Sequence, residues 1–200
     1  MTEGILIIIS GPSGVGKGTV CRQLMEIREK LNLSISTTTR SPRPGEKEGR
    51  EYNFTDIKTF KEMIKNGAFL EWANVHDHYY GTRLDSVNKV ISTGGDLILE
   101  IDVQGAAQVR KKTPGSVSIF LAPPSLEALE KRITGRGTEN QARIKQRLIT
   151  ARREMEAFNL YDYVVVNDTV EQAAELIGSI IDAEKCRVTR GARPPGWGGE

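Results

Sequence analysis

Two hundred residues suffice for one sizeable core, alone or with inserted lobes, and 38% hydrophobic, 27% charged and 6% aromatic residues are the composition of an ordinary soluble domain. A formal net charge of +2 is too small to argue for nucleic acid as a partner. No apolar run approaches the length of a membrane span, and Met1-Thr2-Glu3-Gly4 lacks the basic and apolar regions of a signal peptide. A cytoplasmic chain with neither a membrane nor a nucleic-acid partner is expected, its oligomeric state left open. Cys21 and Cys186, the only cysteines, have no metal or redox spacing, which fits a reduced setting.

The chain opens on Ile5 to Ser10, an apolar, β-branched run that reads as a buried strand. It breaks into Gly11-Pro12-Ser13-Gly14-Val15-Gly16-Lys17-Gly18-Thr19, then into a helical pattern marked by Val20, Leu24, Ile27 and Leu31. Strand, glycine-rich loop and helix together give Gly11-x4-Gly16-Lys17 its meaning as a P-loop. Backbone N–H groups turn inward around a phosphate, the helix N-terminus adds a partial positive charge, and Lys17 adds a full one. Gly18 stands where Ser or Thr normally follows the lysine, with Thr19 one position later.

Leu33 to Thr39 alternates and is β-branched, predicting a strand, whereas Arg40 to Phe54 is polar and broken by Pro42, Pro44, Gly45 and Gly49. Thr55-Asp56 caps a helix carrying Ile57, Phe60 and Ile64 that stops at Asn66-Gly67. A short strand is predicted over Phe69 to Ala73, a loop around His76 and His78, and a helix over Asp85 to Ser92. Asp96 to Asp102 reads as a second buried strand, whose last residue would emerge beside the P-loop if the two strands are parallel neighbours. Val117 to Leu121 is a third, followed by a helix capped by Ser125. Gly135 to Thr138 interrupts the pattern before an arginine-rich helix from Glu139 to Met155. A last strand, Tyr163 to Asn167, precedes a closing helix, Val170 to Cys186, whose face ends polar at Glu184. Arg190 to Glu200, rich in proline and glycine, is expected not to pack. The alternation predicts an α/β fold with a parallel sheet core between two helical layers, and polar inserts standing above the carboxyl edge.

A P-loop promises a nucleoside triphosphate; the fate of its terminal phosphate must be read elsewhere. Thr38 to Phe54 carries Arg40 and Arg43 three residues apart on a chain stiffened by prolines, with Tyr52 further on. Two guanidinium forks and a phenol suit a phosphate monoester.

Residues 4 to about 186 resemble the guanylate kinase family. The resemblance rests on Thr38-Thr39-Arg40, Arg43, Glu46, Gly49, Tyr52 and Phe54, then on Tyr79-Tyr80-Gly81-Thr82 and Glu100-Ile101-Asp102-Val103-Gln104-Gly105. Gly135-Arg136-Gly137-Thr138 and Val164-Val165-Val166-Asn167-Asp168 follow in the family's order. The resemblance implies an enzyme that phosphorylates GMP, and dGMP, with ATP. It divides the chain into a P-loop core (residues 1–34, 86–125 and 157–187), a GMP-binding region (35–85), a mobile lid region (126–156) and a tail expected to be disordered (188–200).

In the family, the positions matching Arg40, Arg43, Tyr52 and Tyr80 hold the GMP phosphate, and those matching Ser36, Glu71, Thr82 and Asp102 read guanine. Glu46 and Glu100 are assigned to the same region. Gly11 through Thr19 are expected at ATP, and Asn167 matches a position near its adenine. Arg132, Arg136 and Arg147 resemble arginines that close over both phosphates, joining Lys17, Arg40 and Arg43 in catalysis. Magnesium is expected on the triphosphate, held mainly by phosphate and water, with Thr19, Glu100 or Asp102 in the outer shell because Gly18 supplies no hydroxyl. A catalytically inactive guanylate-kinase-like binding module is the reading from a different class. Such modules typically lose P-loop and arginine positions, and this chain keeps Lys17, Arg40, Arg43 and Arg136.

Overall fold

In the computed structural model, which describes residues 4–75, 77–135 and 141–193, the first apolar run becomes the central strand of a parallel sheet. The chain proceeds through β1 (Leu6–Ser10), α1 (Lys17–Ile27), β2 (Leu31–Leu33), β3 (Thr37–Thr38), β4 (Asn53–Phe54) and α2 (Ile57–Lys65). It continues with β5 (Phe69–Val75), β6 (His78–Arg83), α3 (Leu84–Ile91), β7 (Asp96–Glu100), α4 (Val103–Lys112) and β8 (Val117–Ala122). α5 (Leu126–Thr134), α6 (Gln141–Met155), β9 (Tyr163–Val166) and α7 (Val170–Lys185) complete it.

Five strands form the core sheet in the order β2-β7-β1-β8-β9, and every pairing is parallel. Side chains of a strand alternate between faces. Ile5, Ile7 and Ile9 accordingly pack with α1 and α7 residues such as Val20, Leu24, Ala174 and Ile177 on one side. Leu6 and Ile8 pack with Val87 of α3 and with Ala106 and Val109 of α4 on the other. Burial on both faces is why β1 reads as an unbroken apolar run rather than an alternating one.

A second sheet, in the order β4-β3-β6-β5, stands between residues 37 and 83. Its β5–β6 hairpin is antiparallel, and Phe60 of α2 stacks on Phe69 and Tyr79 with ring centroids 4.5 and 5.4 Å away. Edge strand β5 is covered by α4: Gln108 donates to the Trp72 carbonyl at 2.6 Å and accepts from its N–H, while Lys112 donates to the Leu70 carbonyl.

The structure corrects the sequence reading in four places. The strand expected over 33–39 is two strands, β2 ending at Leu33 and β3 starting at Thr37, because the chain passes there from one sheet to the other. His78 lies on β6, not in a loop, and His76 lies outside the described residues; β6 runs His78-Tyr79-Tyr80-Gly81-Thr82-Arg83 and so lacks the apolar alternation that announces a strand. Helix α4 carried no sequence prediction, because its buried face is Gly105, Ala106 and Val109, small residues with a weak apolar signal. Arg190, assigned to a tail that does not pack, donates to Glu184 at 2.7 Å and to the Gly115 carbonyl at 2.7 Å from a short 3-10 turn over Val188–Arg190. Residues 194–200 of that tail lie outside the described residues.

Glu184 is the anchor of this closure. It is buried, and it accepts from the Tyr163 hydroxyl, Arg187 and Arg190. Burial alone would raise its pKa, but these partners outweigh it and hold the carboxyl below its ordinary value. Removing one partner from a buried charged network leaves the others unpaired, so Glu184→Ala should cost about 3–5 kcal/mol. The check is the shift of the urea midpoint at unchanged slope, with Glu184→Gln falling between wild type and alanine.

Candidate active site

The P-loop joins the carboxyl end of β1 to the N-terminus of α1, whose cap residue Gly16 sits at φ 99° in the left-handed region. Three groups brace it from outside. Asn167, at the end of β9, donates from Nδ2 to the Val15 carbonyl at 2.7 Å. Arg132 donates to Val15 O at 3.2 Å and to Asn167 O at 2.9 Å, so its guanidinium ties the loop to the end of β9. Lys17 Nζ folds over the loop, donating to Gly11 O at 2.7 Å and Pro12 O at 3.3 Å.

The departure at Gly18 has a steric cause. A Cβ there would stand 3.2 Å from Oε1 and 3.4 Å from Oε2 of Glu100, the last residue of β7. A side chain at position 18 would therefore need the Glu100 carboxylate to give by a few tenths of an ångström.

On one side of the loop lies a cavity of about 160 Å³. Its walls include Lys17 at the start of α1, Glu100 at the end of β7 and Asp102 at the cap of α4, together with Glu71 on β5, Tyr80 on β6, and Ser36 and Tyr52 just before β3 and β4. Glu71, on β5, is 3% exposed, and its Oε1 accepts from the buried Thr82 hydroxyl at 2.6 Å. That hydroxyl has one proton and uses it on Glu71, and the hydroxyls that line the cavity are those of Ser36, Tyr52 and Tyr80. Asp102 does not extend β7; it caps α4, accepting from Gly105 N at 2.8 Å.

Arg40 is held at the mouth. Its Nη2 meets both Glu46 oxygens at 2.9 Å, its guanidinium lies 5.3 Å from the Tyr52 ring centroid, and the Tyr52 and Tyr80 rings meet edge-on. Glu46 does not line the cavity; it also accepts from Arg43 N at 2.8 Å, and so organises both arginines. Arg43 itself is exposed.

On the other side runs a groove of about 470 Å³ lined by Gly14, Val15, Gly16, Thr19, Arg132 and Asn167 among others. Above the loop, helix α6 grips Ser13 twice: Arg147 donates to its hydroxyl at 3.1 Å, and Glu154 accepts from its N–H at 2.9 Å. Glu154 is a site residue that the sequence reading missed. The available signal was its spacing of two helical turns from Arg147, which places both on one face. Arg136 lies outside the described residues.

Four carboxyls around the loop titrate above their ordinary values. Burial is the largest cause for each of Glu71, Glu100, Asp102 and Glu154. Glu71 is pushed up to about 7 despite its bond from Thr82, and the Asp102 charge adds to the shift. An acid whose folded pKa is raised keeps its proton longer than in the unfolded chain, so it costs stability as pH rises through that window. Glu71→Gln removes the titration. In protein without added nucleotide, the variant's Tm relative to wild type should therefore be several degrees higher at pH 8 than at pH 5.5, and a pH-independent difference would contradict the raised pKa.

Among the described residues no helix is long and apolar enough to cross a membrane. The Guanylate kinase family model matches residues 3–184 of the chain. Over 188 residues the chain is 53% identical to a guanylate kinase of Caldanaerobacter subterraneus subsp. tengcongensis, covering 94% of this chain and 91% of that one. It is 50% identical to one of Shouchella clausii over 94% of this chain and 92% of that one. Among solved structures it is similar to guanylate kinase from Anaplasma phagocytophilum, with a TM-score of 0.79 and 33% identity over 95% of this chain and 90% of that chain. The family match spans the core sheet, the loop braced by Arg132 and Asn167, and the cavity beside it, and the chain belongs to the guanylate kinase family.

Proposed function

We propose that the chain transfers the γ-phosphoryl group of ATP to GMP, and to dGMP, giving ADP and the corresponding diphosphate. One observation carries this beyond the family name: a single P-loop forms a shared wall, with a cavity lined by Lys17 and the carboxyls of Glu71, Glu100 and Asp102 on one side and an open groove on the other. Two nucleotides placed there meet end to end at Lys17.

The cavity's chemistry selects guanine. Guanine offers two donors, N1–H and the 2-amino group, beside the O6 acceptor. The Glu71 carboxylate accepts from both donors, and Ser36 donates to O6, with Thr82 acting through Glu71. Asp102 completes the polar floor. Adenine inverts this pattern and leaves buried groups unpaired, at a cost of about 1–3 kcal/mol for each. Arg40, Arg43, Tyr52 and Tyr80 take the acceptor phosphate, with Glu46 holding Arg40 in its fork geometry. In the groove, the loop from Gly14 to Thr19 takes the donor phosphates, and Asn167 lies at the nucleoside end while bracing Val15.

Transfer requires little covalent help. The nucleophile is a phosphate oxygen whose second ionisation lies near pH 6, roughly the value for a phosphate monoester, so no general base is assigned. The protein's work is to hold two polyanions in line and to neutralise charge spreading over the transferring group. Lys17 and Arg40 supply positive charge, Arg147 is fixed on the loop through Ser13, and Arg132 braces the loop at Val15. Arg136 is assigned to the closing segment, where it excludes water.

Among the described residues no group of three His, Cys, Asp or Glu side chains is placed to hold a metal by itself. Magnesium fits the hard-oxygen surroundings all the same, drawing ligands from phosphate and water with Glu100 and Asp102 beside it. Thr19 is the nearest loop hydroxyl. When bound, the ion supplies charge neutralisation across the triphosphate. Glu100 stands in for the missing P-loop hydroxyl, which gives a directional test. Gly18→Ser would press on Glu100, so kcat/KM for ATP should fall several-fold and the magnesium optimum should rise, with KM for GMP little changed. A gain in activity would show that the hydroxyl alone is what matters.

A coupled ADP-release assay with GMP, dGMP, AMP, CMP and UMP tests the activity itself. GMP should exceed AMP by roughly 10⁴ in kcat/KM. Equal rates with AMP would remove the base assignment. Lys17→Met should lower kcat by roughly 10²-fold or more while leaving the circular dichroism spectrum intact.

A further inference from the structure

Gly105 sits inside helix α4 with ordinary helical backbone angles, so no unusual conformation calls for glycine there. Glycine is the poorest helix former after proline, and an alanine would favour the helix. The reason for glycine lies across the interface. A Cβ at position 105 would stand 2.4 Å from Oε2 of Glu71 and 3.1 Å from its Cδ, where real side chains do not fit.

Neither partner has room to retreat. The other oxygen of Glu71 is held by the Thr82 hydroxyl at 2.6 Å, and the residue is 3% exposed. The start of α4 is fixed by Asp102, which accepts from Gly105 N at 2.8 Å. Further along the same helix, Gln108 and Lys112 bond the backbone of Trp72 and Leu70, the residues flanking Glu71 on β5. Gly105, Gln108 and Lys112 recur at helical spacing and form one seam against that strand.

We infer that Gly105 is a specificity-determining position: the side chain it lacks is what lets the Glu71 carboxylate stand at the cavity floor, where it accepts from the 2-amino group of guanine. Gly105 acts through Glu71 as a positioning residue and does not touch the substrate. The inference rests on the assignment of Glu71 to guanine made above. Hypoxanthine lacks the 2-amino group, so the ratio of kcat/KM for GMP to that for IMP reports this one contact.

Steady-state kinetics on Gly105→Ala, Glu71→Gln and the double variant form the test, with GMP and IMP as acceptors and ATP as donor. Gly105→Ala is expected to lower kcat/KM for GMP tenfold or more, chiefly through KM, and to bring the GMP/IMP ratio down toward that of Glu71→Gln. KM for ATP should stay within twofold of wild type, and the double variant should be no worse than Glu71→Gln alone. If Glu71→Gln lowers the ratio and Gly105→Ala does not, the Gly105 inference fails while the role of Glu71 stands. Losses that simply add in the double variant overturn it too, because Gly105 would then act independently. If Glu71→Gln leaves the ratio unchanged, the guanine assignment of Glu71 itself fails. Should Gly105→Ala not fold, Gly105→Ala/Glu71→Ala removes the clashing carboxylate and must restore folding; failure to do so overturns the inference.

Discussion

The parallel pairing of β1 with β7 is the constraint on which the rest depends. Its register sets Ile9 opposite Glu100, so both strands end at the same edge of the sheet. β1 runs out into the P-loop and its lysine, while β7 runs out into Glu100 and the cap residue Asp102. An antiparallel pairing would send the two ends to opposite edges and separate the cation from the carboxylates. The parallel arrangement requires a crossover, and the helices of that crossover bury both faces of the sheet. The same β-branched residues that make the core therefore aim the site.

The second sheet is attached to this frame by a seam rather than by strand pairing. β5 offers α4 its edge, and two side chains of the helix satisfy backbone groups that another strand would otherwise claim. Because α4 begins at Asp102, the seam fixes Glu71 relative to the end of β7. Two carboxyls, one on β5 and one at the cap of α4, thus face one cavity; burial raises both, and the Asp102 charge adds to the rise at Glu71. On the proposed reading that cost is offset, because guanine's donors need acceptors and the acceptor phosphate needs cations. The structure keeps the two apart, with the carboxyls of Glu71 and Asp102 in the cavity and the Arg40 guanidinium beside Tyr52 at its mouth.

The core sheet was legible because buried parallel strands concentrate β-branched residues, and because a glycine-rich loop between strand and helix has few other uses. The second sheet was much less so. β6 has the residues His78-Tyr79-Tyr80-Gly81-Thr82-Arg83, chosen for a polar cavity and aromatic stacking, and no period-two apolar pattern survives that choice. Within the site, residue types that act by charge stood out: Lys17, Arg40 and Asp102 were candidates from the residues themselves, and Glu71 from the family resemblance. Residues that act by position did not. Glu154 is an unremarked acid on a charged helix until its distance to the Ser13 amide is seen. Gly105 is silent for a deeper reason, since what matters is an absent side chain facing a residue 34 positions earlier. Glu46 was expected in the substrate region, and in the structure its carboxylate holds Arg40.

That last contact belongs to a wider pattern. The groups suited to phosphate already have protein partners: Lys17 donates to two loop carbonyls, Arg40 to Glu46, and the Ser13 amide to Glu154. A phosphate competing for Lys17 replaces neutral carbonyl acceptors with a charged one, which is a clear electrostatic gain. At Arg40 the exchange is of one anion for another, so the gain is smaller, and the value of Glu46 lies in keeping the fork oriented rather than in adding affinity. At Ser13 the partner is a carboxyl whose own pKa is raised by burial, so it is a weaker claimant than a phosphate would be. Affinity here is a difference between two sets of satisfied bonds, and the differences favour the donor triphosphate more strongly than the acceptor monophosphate. On the proposed reading, the acceptor's selectivity then comes from the cavity floor, where Glu71 is buried and held by the Thr82 hydroxyl.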